Sequence, residues 1–205
     1  MRIADSWIVS MDYSGINYDY NDNVYFVSNM KPEWTGTTLH RLDVGATGSY
    51  TDSIGSVWTP DAGLFSPSTA PNEGANTTPL AIDRTVDDQI YRTYRGNVGA
   101  VPQDQRILSY ALPTGTATRV DVRLHFAERA SGNNAAGKRL QDISAEGALL
   151  RDNFDIFATT GGQNRAYVLA LNNIAVADGT LNLSFKADVD YPSIAGIEVF
   201  CRTGC

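Results

Sequence analysis

The chain has no hydrophobic segment long enough to cross a bilayer and no excess of positive charge. No run of about 18 apolar residues occurs in its 205 residues, so we expect no membrane insertion. The net charge of −7 argues against nucleic acid and anionic membranes as partners, because phosphate groups attract basic surfaces. We therefore expect a globular protein that binds neither nucleic acid nor an anionic membrane.

Residues with reactive or metal-binding side chains are also scarce, with only two cysteines and two histidines. Neither His40 nor His125 lies near a recognisable nucleophile motif, and no phosphate loop occurs, so we predict no enzyme and no cofactor. Cys201 and Cys205 form a disulfide only if the chain turns back to bring their Cα atoms within roughly 7 Å. Two free thiols are the alternative. A metal site there is not expected, since no second ligand pair is nearby.

The amino terminus lacks the apolar core of a secretory signal peptide. The chain is therefore either cytosolic or a piece of a longer secreted protein. Its polar composition and few lysines favour the second, which predicts an extracellular or cell-surface location. Asn76 and Asn182 begin glycosylation sequons, which matter only in a eukaryotic secretory pathway.

Residues 1–36 differ from the rest in being dense in Tyr, Asp and Asn. Strands are predicted near 6–11 and 24–29, so this part reads as a β extension or the end of a preceding module. Residues 37–205 are predicted to form the main domain. The tyrosines at 13–25 are candidates for a second sugar platform, but such residues more often cover the edge of a core.

Three residues of this first segment have the spacing that opens a calcium-binding loop, Asp19, Asn21 and Asn23. The motif fails further on, because Val24 stands where glycine is required and Met30 where glutamate is required. A structural Ca²⁺ elsewhere in this acidic segment remains an open alternative.

The clearest pattern is an alternation in the segment 119–128. Val120, Val122, Leu124 and Phe126 are apolar and the residues between them are polar, as in a strand with one buried face. The alternation ends at Glu128, and a loop rich in Gly and Asn follows. A strand end followed by a flexible loop often presents a binding site.

Similar short strands recur along the chain, with turns between them and one helical turn predicted near 153–160. The pattern predicts an all-β fold, an antiparallel β-sandwich of the jelly-roll, galactose-binding-like type with long loops. The predicted strands are 39–44, 89–94, 107–111, 119–127, 140–145, 166–171, 181–186 and 193–200, with a hairpin at 50–58 and a long loop at 60–80.

Eight segments of the chain, in order, resemble the malectin domain, a carbohydrate-binding β-sandwich. They include DDQIYRTYR at 87–95 and LHFAE at 124–128. The others are 39–45, 50–61, 139–143, 153–156, 178–181 and 190–199. The eight segments lie in order across about 160 residues of the chain.

The resemblance implies binding of a neutral glycan by loops at one end of the sandwich. Aromatic rings pack on sugar C–H groups, and carboxylates accept hydroxyl hydrogen bonds. Asp190 takes the position of the family's binding aspartate, whereas Arg129-Ala130 replace its aromatic pair and Gly96 replaces a tyrosine. The predicted site consists of Tyr94, Arg95, Glu128, Arg129, Asp190 and Tyr191.

Each of these residues also has a purely structural interpretation. Tyr94 and Tyr191 would then be packing residues, while Glu128 and Arg95 would form a structural pair with each other. The corresponding alternative function is a structural or adhesion module that contacts neighbouring domains or copies of itself through exposed strand edges.

Overall fold

The computed structural model describes residues 6–11, 23–28, 36–74 and 81–205, and the chain divides into two compact units, 1–35 and 36–205. In the first unit β1 (Ser6–Met11) pairs antiparallel with β2 (Asn23–Ser28), close to the predicted strands. The calcium motif's Asp19 and Met30, most of the tyrosine-rich run and the sequon at Asn76 lie outside the described residues.

The second unit is a β-sandwich, as predicted. One sheet has five strands in the order β10-β9-β12-β7-β6, and the other has six in the order β11-β8-β13-β3-β5-β4. Among the strands that the structure describes, the pairings are antiparallel except that of β3 with β5. The strands are β3 (Thr38–Asp43), β4 (Tyr50–Thr51), β5 (Val57–Pro60), β6 (Phe65–Ser66), β7 (Ile107–Pro113), β8 (Arg119–Phe126), β9 (Leu140–Ala145), β10 (Ala148–Phe154), β11 (Tyr167–Ala175), β12 (Thr180–Val189) and β13 (Gly196–Thr203).

The alternating residues of β8 form the centre of the core. Val120, Val122, Leu124 and Phe126 are at most 1% exposed and pack with apolar residues of both sheets. Strand β8 lies between β11 and β13, so both of its edges are hydrogen-bonded. This central place positions the loop after Phe126, where the candidate site begins.

A second, smaller apolar cluster includes Trp58, Ile90 and Tyr91. Here the sequence-based prediction of a strand at 89–94 is wrong, because a 3₁₀ turn occupies Asp88–Tyr91. The neighbours Ile90 and Tyr91 are both buried, whereas a strand would point them to opposite faces. The cluster encloses His125, which contacts Trp58 edge-on and bonds the Tyr91 hydroxyl through Nδ1 at 2.9 Å.

A helix cap explains one local feature of the fold, and the position of a strand at the edge of its sheet explains another. The predicted helical turn is confirmed as α1 (Ile156–Thr160), where Asp155 accepts a hydrogen bond from the Ala158 amide and Gly161 ends the turn with φ of 72°. Strand β10 was not predicted from the sequence. As an edge strand exposed along most of its length, it lacks an alternating apolar pattern.

The chain ends in a disulfide between Cys201 and Cys205, whose Cα atoms are 6.0 Å apart. This decides between the two alternatives left open by the sequence. Among the described residues, no helix has the length and hydrophobicity needed to cross a membrane.

Candidate functional site

Arg139, at the start of β9, joins three loop segments at one end of the sandwich. Its Nε donates to Glu128 Oε2 at 2.8 Å, and its Nη2 lies 3.4 Å from Asp190 Oδ2. Its Nη1 donates to the carbonyls of Tyr191 and Pro192. A guanidinium offers five N–H donors in a rigid plane, so one buried arginine fixes the relative position of all these groups.

Asp190 is the most exposed carboxylate that Arg139 contacts, with one third of its side chain accessible. Its backbone is left-handed, with φ of 64°, a conformation that is uncommon for residues other than glycine, although Asp and Asn adopt it more readily than most. Gln103 Nε2 and Arg106 Nη1 each donate to its carbonyl at 2.9 Å. The Asn133 amide donates to its Oδ2 at 2.7 Å. These contacts fix the position of Asp190.

Glu128 has a different environment, being only 1% exposed. Besides Arg139, its carboxylate accepts a hydrogen bond from the Ala130 amide at 3.0 Å, and its carbonyl accepts one from the Asn164 amide. The geometry makes Glu128 a partner of Arg139 inside the site and leaves little of it for direct contact with a ligand.

Tyr94 lies within electrostatic reach of this cluster. Burial, followed by the nearby Glu73 carboxylate, raises the pKa of its hydroxyl, and the positive charge of Arg139 opposes the increase. The backbones of Tyr94 and Glu73 form two hydrogen bonds, which place the ring beside Gly74. The ring remains partly exposed.

Arg129 and Tyr191 flank the cluster. Arg129 donates through Nη1 to the carbonyl of Tyr91 at 3.0 Å, and burial lowers the pKa of its guanidinium. Tyr191 is partly exposed, with the Arg106 guanidinium 4.1 Å above its ring. Both residues therefore lie at the loop end predicted from the sequence.

Arg95, the sixth predicted residue, points into the protein. It is 5% exposed, pairs with Asp61 at 2.7 and 2.8 Å, and donates to the carbonyl of Ala70. The ring of Phe65 lies 3.6 Å from its Cζ. Because these contacts use its guanidinium inside the fold, Arg95 is not part of the cluster around Arg139.

In the sequence pattern of the malectin domain, which this chain resembles, a tyrosine stands where this chain has Gly96. The structure gives a steric reason for the glycine. A Cβ there would lie 2.0 Å from the Pro192 carbonyl oxygen, which no side chain can tolerate. The same carbonyl accepts a hydrogen bond from Arg139 at 3.1 Å. The close approach of residues 96 and 192 therefore leaves no space for a tyrosine.

Sequence reasoning missed Arg139 and Asn133 as members of the site. In the sequence, Arg139 stands out only as part of a strand motif, and Asn133 belongs to a loop whose Gly and Asn content predicts flexibility. Their burial, 5% and 7% exposed, is the signal that was missing, and it depends on tertiary contacts. Among the described residues, no three His, Cys, Asp or Glu side chains are grouped as a metal site requires.

The chain is similar to known proteins in sequence and in structure. A sequence model of the malectin domain matches residues 38–197. The extracellular domain of ANXUR2 from Arabidopsis thaliana is similar in structure, with a TM-score of 0.69 and 19% identity, over 80% of this chain and 48% of that one. The plant receptor-like kinase FER gives a TM-score of 0.68 and 18% identity, over 86% and 55%.

A further similar structure is that of plant peptide RALF23 in complex with FER and LLG2, with a TM-score of 0.66 and 20% identity, over 80% of this chain and 48% of that one. The chain thus spans about half the length of these solved chains. At such identities the similarity shows the fold alone. No curated protein gave a significant match.

Proposed function

The chain belongs to the malectin family, which its match over residues 38–197 shows, and we propose that it is a non-catalytic module that binds a neutral glycan. The site would lie at the loop end around Arg139. One observation carries the proposal: three segments distant in sequence, which carry Tyr94, Glu128-Arg129 and Asp190-Tyr191, meet at one end of the sandwich.

The chemistry of Asp190 suits a sugar hydroxyl. Its Oδ2 already accepts a hydrogen bond from Asn133 and forms an ion pair with Arg139, while Oδ1 accepts no hydrogen bond from the described residues. A preorganised acceptor loses little entropy on binding, so even a single hydroxyl contact contributes to affinity. The charge of Arg139 is shared with Glu128, which favours a neutral ligand over an anionic one.

The tyrosines supply the apolar part of such a site. Tyr94 and Tyr191 are both partly exposed, so each has ring surface that can pack against the C–H groups of a pyranose. Few aromatic rings border the cluster, so we propose weak binding to one or two sugar units rather than to a long chain.

The environment of the carboxylates supports a binding role over hydrolysis. Glycoside hydrolysis needs two carboxyl groups that flank the scissile bond. Glu128 is 1% exposed and tied to Arg139, so it lacks the access that an acid or nucleophile requires. The two carboxylates share one arginine instead of facing each other across an open cleft.

A glycan array tests the proposal, comparing the parent protein with Asp190→Asn. Asparagine keeps the size of the side chain and tolerates the left-handed backbone, so the variant should fold. We expect it to lose about tenfold or more in affinity, since hydrogen bonds to charged groups contribute about 1.5–3 kcal/mol. Asp152→Asn, an exposed substitution on β10, is the matched control and should bind as the parent does. Equal binding by Asp190→Asn would refute the site.

We also propose that the module acts outside the cell, as part of a longer protein. The similar solved chains are extracellular domains of plant receptor-like kinases or complexes that contain one, and the charge of −7 fits a partner other than nucleic acid. The glycan would be its direct partner.

A second candidate function, strand-mediated assembly, is favoured by one feature. Edge strands β10 and β11 border a groove of about 350 Å³, lined by Leu150, Arg151, Ala170 and Asn172 among others. Unpaired strand edges accept an added strand from another chain. Self-association on a sizing column that Ala170→Lys abolishes, and that Ala111→Lys on the other sheet leaves intact, would support this function.

A further inference from the structure

One side chain of the loop 131–138 differs from its neighbours. Asn133 is only 7% exposed, whereas the other residues of this loop are exposed. Its backbone amide donates to the carbonyl of Ala130 at 2.9 Å, which turns the side chain inward. Burying an amide costs free energy unless it is hydrogen-bonded, so its partner identifies its role.

That partner is Asp190. The Asn133 Nδ2 lies 2.7 Å from Asp190 Oδ2, and a carboxylate only accepts hydrogen bonds, so the amide nitrogen must face it. A hydrogen bond to an ionised group is short and strong. Arg139 contacts the same oxygen at 3.4 Å. One hydrogen bond and one ion pair therefore hold Oδ2, and this arrangement leaves Oδ1 as the acceptor for a ligand.

The backbone of Asp190 is fixed separately, by the donors Gln103 and Arg106 on its carbonyl. Only the side-chain torsions of Asp190 then remain to be set. Arg139 is occupied with Glu128 and two carbonyls, and at 3.4 Å its contact with Asp190 is longer than the Asn133 contact of 2.7 Å. The shorter contact, from Asn133, decides the orientation of the carboxylate.

We propose that Asn133 is the positioning residue of this site: its amide sets the carboxylate of Asp190 for a sugar hydroxyl and so governs affinity. The inference rests on the glycan-binding function proposed above. The inference gives the loop 131–138 a role in recognition, although this chain has Arg129 and Ala130 where the malectin pattern has aromatic residues.

The test exchanges the amide for a carboxylate, Asn133→Asp. Two carboxylates at hydrogen-bond distance cannot both ionise without strong repulsion, and one shared proton restores the bond. We therefore expect Asn133→Asp to bind nearly as the parent does at about pH 5 and about tenfold or more weaker at about pH 8. The probe is the array glycan that binds the parent most tightly, measured by titration calorimetry.

Asn134→Asp is the matched control. It adds the same charge one residue away, at an exposed position with no contact to Asp190. We expect it to follow the parent at both pH values. A purely structural role for Asn133 predicts a pH-dependent loss of stability but no pH-dependent loss of affinity while the variant stays folded. The same pH dependence of binding for folded Asn133→Asp and Asn134→Asp would therefore overturn the inference.

Two further results separate the possible failures. If the parent binds no glycan, the proposed function fails, and the role of Asn133 in binding fails with it. If the parent binds but Asn133→Asp shows no pH dependence of its own, only the inference fails. Should Asn133→Asp unfold at about pH 8, Asn133→Ala replaces it, with an expected loss of about tenfold at both pH values. Parent-like binding by that variant would overturn the inference.

Discussion

Arg95 and Asp61 form a buried ion pair in which the guanidinium donates to both carboxylate oxygens, at 2.7 and 2.8 Å. Asp61 is completely buried and also accepts a hydrogen bond from the Tyr110 hydroxyl at 2.9 Å. The pair joins the loop after β5 to the segment that carries Tyr94. The ion pair therefore holds the segment next to the candidate site in place, without being part of the site.

Replacing Arg95 by methionine should destabilise the protein strongly. The substitution leaves the Asp61 carboxylate buried and without its cation, and breaking such a pair costs about 3–5 kcal/mol. Urea unfolding measures this loss. Arg165→Met is the control, because its pair with Asp83 is largely exposed and should contribute about 1 kcal/mol or less. Similar losses for both variants would show that burial of the pair has no special effect.

Asp43 should make stability depend on pH near neutrality. Burial, reinforced by the charge of Asp61 and opposed by the hydrogen bond from Thr93, raises the pKa of Asp43 from 3.8 to about 7. Between these values the folded state holds a proton that the unfolded state has lost, so stability falls as the pH rises. Asp43→Asn removes this penalty and should stabilise the protein at about pH 8 by up to about 4 kcal/mol.

Chemical denaturation at several pH values checks the prediction. The advantage of Asp43→Asn should shrink steadily toward acidic pH, where the parent carboxyl is protonated in both states. The exposed substitution Asp104→Asn serves as the control and should leave the pH profile unchanged. An advantage that does not vary with pH would contradict the proposed titration of Asp43.

Glu198 should have the opposite effect, at acidic pH. Burial alone would raise its pKa, but the hydrogen bond from His125 and the charges of His125 and Arg123 lower the pKa from 4.5 to about 2. Its contribution to stability is therefore complete above 4.5 and is lost as the pH falls toward 2. We expect Glu198→Gln to lack this acid-dependent contribution to the free energy of unfolding, which amounts to about 3 kcal/mol.

Thermal unfolding from acidic to neutral pH measures this contribution. Glu146→Gln, at an exposed position, is the control and should unfold in acid as the parent does. If Glu198→Gln loses stability in acid as steeply as the parent, then groups other than Glu198 cause the acid sensitivity.

Much of the fold was predictable, because a strand with one buried face alternates in sequence. Residues 180–189 show this directly, whereas in 119–126 the sequence alternates but Asp121 and His125 on the polar face are buried as well. The prediction failed at residues 88–91, where Ile90 and Tyr91 are both buried in a 3₁₀ turn, and at β10, an edge strand with little burial. In both places the local pattern does not reveal which surface another segment covers.

The site was predictable only in outline. The resemblance to malectin selected residues from separate segments, and several of them meet at one end of the sandwich. Arg95 and Asp190 illustrate what remained undetermined, since both are charged residues at segment ends. One is paired inside the protein and the other is one third exposed.

The sequence by itself determined the fold class and the family, because both depend on periodic burial and on short motifs in a fixed order. The tertiary structure alone decided that Arg139 joins Glu128 to Asp190 and that Asn133 turns inward to the same carboxylate. It also excluded a side chain at Gly96. The physical reason is that these are contacts between residues distant in sequence, and their hydrogen bonds exist only once the loops are brought together by the packed sheets.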